Sequence, residues 1–145
     1  MVKLKVKKLH PDAIIPSYAH PGEDAGMDVH AVEDAIIKAG ERALIPLGLS
    51  MEFPPGHVCL VWDKSGLAVK NGLKTMAGVI EHSYRGEYKI AVLNTSNEDY
   101  PVKKGQKVAQ LLIQPIMTAE VEEVNELSST ARGEGGFGST GLTKS

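Results

Sequence analysis

Cysteine is nearly missing from this sequence: Cys59 stands alone, so no disulfide can close within the chain. Set among Val58, Leu60 and Val61, it reads as a small core residue and not as a nucleophile. An unstapled chain with one buried thiol fits a reducing compartment, and the expected location is cytoplasmic. No apolar run approaches the roughly eighteen residues of a membrane helix, so no membrane span is expected. Met1 to Lys8 alternates Val and Leu with Lys and lacks the apolar stretch of a signal peptide, so it reads as a strand. Charge of one sign is also scarce. Sixteen Lys and Arg against 18 Asp and Glu leave −2, too little field to hold a polyanion such as duplex DNA. No nucleic-acid partner is expected, and any phosphate must be bound by local groups. His10, His20, His30, His57 and His82 never take the tight spacing of a zinc site, so they are expected on surfaces or loops and no protein-ligated metal is expected.

What is present is the material of one compact domain: 145 residues, 42% hydrophobic and 23% charged. Short β-type patterns fall at Val2 to Val6, Arg42 to Pro46, His57 to Val61, Tyr88 to Leu93 and Val108 to Ile113. Turn residues separate them, among them Pro54-Pro55-Gly56, Asn94 to Asn97 and Lys104-Gly105, which predicts an all-β barrel or sandwich. One short helix is expected over Gly66 to Lys70, with Ser65 as its N-cap and Asn71-Gly72 as its stop. The chain divides into a β domain over 1–131 and a Gly-rich, flexible tail or lid over 132–145.

Five segments could carry chemistry. In the tail, Arg132-Gly133-Glu134-Gly135-Gly136-Phe137-Gly138-Ser139-Thr140-Gly141 joins a cation, an aromatic ring and hydroxyls to glycines whose N–H groups can converge on phosphate. A slack terminus is the alternative, but it gains nothing from a large ring between glycines. In Asp63-Lys64-Ser65-Gly66-Leu67-Ala68 a cation and a hydroxyl sit at the expected helix start, where unpaired N–H groups suit phosphate; a plain N-cap beside a solvated Lys is the alternative. Gly78-Val79-Ile80-Glu81 through Tyr84-Arg85-Gly86 is a turn-containing segment whose carboxylate could deprotonate a water, or a polar hairpin. Ala25-Gly26-Met27-Asp28 offers an Asp that by itself reads as a turn former. Gly105 to Gln110 reads as turn and strand with Gln110 as its polar candidate.

Taken in chain order, the five segments resemble the five motifs of the trimeric dUTPase family, over about Asp24 to Gly141. The resemblance implies a jelly-roll-like (β-clip) subunit assembled as a homotrimer, with sites between subunits and the tail of one chain closing on a neighbour. It implies hydrolysis of dUTP at the α-phosphorus to dUMP and pyrophosphate. Glu81 would activate the water, with Asp28 and Gln110 assisting. The backbone of Gly78, Val79 and Ile80 would read uracil, and Tyr84 would pack beneath deoxyribose, where a 2′-hydroxyl would collide with it. Lys64, Ser65 and Gly66 would hold the phosphate chain. Lys89, Arg132, Phe137, Gly138 and Ser139 complete the substrate-binding set, with Phe137 stacked on the base. Mg²⁺ would be held chiefly by substrate phosphates and water.

This chain departs from the family's pattern where Glu81 stands for Asp, where Lys64 stands for Arg, and where Met76 enters the uracil-reading turn. An extra methylene displaces a carboxylate by roughly one ångström, and Lys lacks the bidentate fork of Arg. A dUTP-binding regulatory protein, another deoxynucleotide pyrophosphatase and a dCTP deaminase are the alternatives. The deaminase family's glutamate would fall on Ala91, which removes its acid/base group.

Overall fold

The computed structural model describes residues 1–143, so the last two residues of the expected 132–145 tail lie outside the described residues. In chain order the elements are β1 (Lys5–Lys8), β2 (Met27–His30), β3 (Ala35–Ile37), β4 (Arg42–Pro46), β5 (Leu49–Glu52) and β6 (His57–Trp62). Then come α1 (Ser65–Asn71), β7 (Leu73–Met76), β8 (Val79–Glu81), β9 (Lys89–Asn94), β10 (Tyr100–Val102) and β11 (Lys107–Pro115). Every strand pairing is antiparallel. A four-stranded sheet runs β2-β11-β6-β8 and a three-stranded sheet β4-β9-β7, with two-stranded ribbons β1-β5 and β10-β3. The all-β class with one short helix is borne out.

Alternation places Val29, Ile45, Leu47, Leu49, Cys59 and Leu111 in the core, each fully buried. Burying a side chain of this size stabilises by about 1.5–3 kcal/mol. Burial pushes the Cys59 thiol up to about 12, which leaves it inert, as its apolar neighbours led one to expect. Asn94, 0% exposed, is the polar exception that holds the turn after β9. Its amide donates to the carbonyls of Ile37 (2.9 Å) and Glu98 (2.7 Å) and accepts from Ser96, so its buried polar atoms are satisfied.

Several expectations need correction. The first strand begins at Lys5 and not Val2, because its pairing with β5 runs only from Lys5↔Glu52 to Lys8↔Leu49. The segment around Asp28 is a buried strand and not a turn, since β2 fills one edge of the four-stranded sheet. Ser65 is the first helical residue; Lys64 occupies the N-cap in an extended conformation, and no side chain caps the helix. Its hydroxyl is therefore not consumed by a cap. His30 is a strand residue with a buried Nδ1 that has no partner, and burial pushes its imidazole pKa down.

The expected helix stop is borne out at Gly72, which is left-handed (φ 68°) and whose N–H bonds back to Ala68 and Leu67. A Cβ there would also lie 2.8 Å from Thr95 Oγ1. Gly72→Ala should cost about 1–2 kcal/mol in urea unfolding; an unchanged midpoint would contradict this capping role.

Candidate active site

The four-stranded sheet aligns one polar row, because Asp28 on β2, Gln110 on β11 and Trp62 on β6 are direct cross-strand neighbours on the same face. Asp28 is 3% exposed, yet its carboxylate is fully paired: Lys64 Nζ lies 2.5 Å from Oδ1 and Lys107 Nζ 2.6 Å from Oδ2. Burial raises the Asp28 pKa, but the hydrogen bonds and charges of Lys107 and Lys64 outweigh it and hold the carboxyl below its ordinary 3.8. Gln110 Nε2 donates to the carbonyl of Asp63 at 2.8 Å, which ties β11 to the entry of α1. A Cβ at position 26 would lie 2.3 Å from Gln110 Oε1 and 3.0 Å from its Cβ, so a side chain there would displace Gln110. Asp63 closes the other side, its carboxylate accepting from the Thr75 backbone and hydroxyl (both 2.7 Å) and from Lys74 (2.7 Å). Two ammonium groups thus meet on one buried carboxylate, and one of them belongs to Lys64, the residue from which α1 starts.

A second half-site sits at the other edge of the sheet. Leu44, Val79, Ile80, Glu81, Tyr84, Glu87, Tyr88 and Lys89 line a surface pocket of about 440 Å³. The chain enters it through a tight turn in which Ala77 (φ 57°) and Gly78 (φ 102°) are both left-handed. Gly78 accepts a bond from Val61 N–H at 2.8 Å, and a Cβ at 78 would lie 3.1 Å from the Val61 carbonyl, so the turn is pressed against β6. Tyr84 folds back over Gly86 and donates to the Glu87 carbonyl at 3.0 Å.

The register separates the two half-sites. Glu81 pairs with Val58, four residues along β6 from Trp62, which neighbours Gln110. At strand geometry the Cα of Glu81 therefore lies roughly 16–20 Å from those of Gln110 and Asp28. The tail reaches neither half-site by a hydrogen bond among the described residues. Arg132 Nε bonds to the Gly135 carbonyl (2.8 Å), Ser139 N–H to Gly136, and Phe137 is fully exposed.

The dUTPase family model matches residues 12–141, nearly the whole chain. The chain belongs to the dUTPase family. It is 51% identical over 146 residues to the deoxyuridine 5′-triphosphate nucleotidohydrolase of Clostridium acetobutylicum, covering 99% of this chain and 100% of that one. Among solved structures it is similar to a mutant dUTPase of Staphylococcus bacteriophage 80alpha with dUpNHpp. The TM-score there is 0.90 at 30% identity, covering 97% of this chain and 99% of that one. A mutant dUTPase from phage phi11 of S. aureus, solved for the coordination of a structural Mg(II) ion, matches with a TM-score of 0.80 at 27% identity, covering 88% and 99%. The family's jelly-roll-like fold is therefore that of this chain.

Sequence reasoning missed Lys107, Leu44, Glu87 and Tyr88. Lys107 lies three residues from Gln110, which by strict alternation points it to the opposite face. A β-bulge between Lys107 and Ala109 shifts the register, so Lys107 faces His30 and joins the Asp28 face. No three His, Cys, Asp or Glu side chains converge on a metal position among the described residues, and the Asp28 oxygens are already committed to ammonium groups. These residues fit a divalent ion that arrives with the nucleotide phosphates and keeps its waters, with Asp28 nearby.

The depressed Asp28 carboxyl contributes stability that is present above pH 3.8 and lost as pH falls through its lower folded pKa. Asp28→Asn should therefore cost about 1–2 kcal/mol at pH 7, discounted for the half-exposed lysine ends. That difference from the parent should shrink below pH 3.8 in denaturant titrations; a constant gap across pH would contradict the ion-pair assignment.

Proposed function

We propose that the chain is a dUTP diphosphatase that works as a homotrimer with sites shared between subunits, hydrolysing dUTP at the α-phosphorus to dUMP and pyrophosphate. The observation that carries the shared site is the separation of Glu81 from the Asp28–Lys64–Gln110 cluster across one rigid sheet. No side-chain rotation spans that gap, so one nucleotide needs a second copy of the chain to bring both groups to its phosphates. The same face supplies a surface for that copy: Leu60, Trp62, Val79 and Leu112 are aligned between the half-sites, and Trp62 and Val79 are 51% and 65% exposed.

In this reading uracil enters the pocket at Gly78, Val79 and Ile80, where the tight turn presents backbone donors and acceptors. Tyr84 lies under the sugar, and Lys89 closes the rim beside Glu87, 3.6 Å away. Lys64, Ser65 and Gly66 hold the phosphate chain, and the uncapped start of α1 leaves the Ser65 hydroxyl available to it. Gln110 retains one amide hydrogen for phosphate or water while the other holds the Asp63 carbonyl. Glu81 accepts a proton from the water that attacks the α-phosphorus in line, and the P–O bond to pyrophosphate breaks. When bound with the nucleotide, Mg²⁺ supplies charge neutralisation to the phosphate oxygens. Asp28 orders the two lysines and the waters beside it. The tail from Arg132 onward is a lid segment of the same domain: Arg132, Gly138 and Ser139 take the outer phosphates and Phe137 covers the base. The cytoplasm is the proposed compartment.

With Mg²⁺ and each deoxynucleoside triphosphate in turn, pyrophosphate should be released fastest from dUTP; no turnover with retained binding would favour a regulatory dUTP-binding protein. Glu81→Gln should lower kcat by about 10²–10⁴-fold while leaving nucleotide binding nearly intact. Co-refolding Glu81→Gln chains with Lys64→Ala chains should restore part of the lost rate, because some mixed sites draw a sound half from each. A mixture no more active than its components would contradict the shared site.

A further inference from the structure

Tyr84 rests on three supports of different stiffness. The Gly86 backbone lies under its ring, and the Glu87 carbonyl holds its hydroxyl, both in the partly exposed stretch of the β8–β9 loop that precedes the buried Tyr88. Arg85 joins that loop to β5 only through an exposed contact of 3.6 Å with Glu52. The third support is Tyr88, whose ring centroid lies 5.8 Å from that of Tyr84 at an interplanar angle of 47°. It is the only aromatic pair among the described residues. Tyr88 is 1% exposed and lines the same pocket. Its backbone is clamped on both sides, its N–H donating to the Leu49 carbonyl (2.8 Å) and its carbonyl accepting from Leu47 N–H (3.1 Å). A half-exposed ring is therefore braced against one that is buried and held at its backbone.

We propose that Tyr88 is a positioning residue for sugar selection: it fixes the plane of Tyr84, and so sets how strongly a 2′-hydroxyl is refused. This deepens the dUTPase reading and rests on it. The ring and not the hydroxyl does the positioning, because the Tyr88 hydroxyl is buried with no hydrogen-bond partner. Tyr88 touches neither the phosphates nor the water in this arrangement and acts through Tyr84 alone. An aromatic pair at this distance prefers a tilted geometry, and its loss lets the exposed ring sample orientations that leave room for a ribose.

The test is the ratio of kcat/KM for dUTP to that for UTP, measured on the assembled protein. Tyr88→Leu and Tyr88→Val should lower the ratio by about threefold to tenfold, chiefly by admitting UTP, whereas Tyr88→Phe should keep the parental ratio and unfold no earlier than the parent. A parental ratio in a cooperatively folding Tyr88→Leu or Tyr88→Val protein would overturn the proposal, and so would an equal loss in Tyr88→Phe. Should either aliphatic variant fail to fold, the other decides. If the parent does not turn over dUTP, the dUTPase reading fails by itself. The proposal on Tyr88 is then judged from relative dUMP and UMP affinity in the same variants, where a parental preference in Tyr88→Leu overturns it.

Discussion

Both edges of β11 are occupied, β2 along one and β6 along the other, and this double pairing fixes the position of everything polar in the candidate site. It sets Asp28, Gln110 and Trp62 in one row, and it sets Glu81 at the far corner of the same sheet. A strand paired on both sides cannot slip without turning Leu111 and Ala109 out of the core, so the row is held by the whole hydrophobic interior. The one irregularity, the bulge at Lys107, adds a second cation to the face where the first already lies.

That second cation changes what Asp28 can do. A buried carboxylate with one ammonium would be a simple pair; with one on each oxygen it becomes an anchor that keeps two like charges close together. Their mutual repulsion is tolerable while the carboxylate stays ionised, and both lysines keep part of their surface in water. The two point charges come from different elements, Lys64 from the N-cap of α1 and Lys107 from β11, and neither carries the planar fork of a guanidinium. The positions of both ammonium groups are thus set by one buried side chain.

The sequence reading recovered the fold class, β4 at its observed limits, the helix stop at Gly72, the buried thiol and the family. These are features written in local chemistry: alternation, a left-handed glycine, an apolar neighbourhood and five ordered motifs. It did not recover β2, since Met27 to His30 is too short for a period to stand out and its only charged residue suggested a turn. Lys107 was hidden because a bulge breaks the parity on which face assignment depends. Ser65 was placed one position too early, because extended backbone at Lys64 makes the cap without help from any side chain. Tyr88 looked like an ordinary strand start, and nothing in its neighbours announces a contact with a ring four positions away. Apart from the cap, which is local, these misses concern partners brought together by tertiary pairing.

Gly86 and Tyr84 share a volume too small for both a ring and a methyl group, since a Cβ at 86 would stand 2.5 Å from Tyr84 Cζ. The two sites therefore cannot drift separately through sequence space. Any side chain at 86 would displace the aromatic ring from its resting place. On the proposed role of Tyr84, the choice of sugar therefore hangs on a glycine that is itself only partly buried.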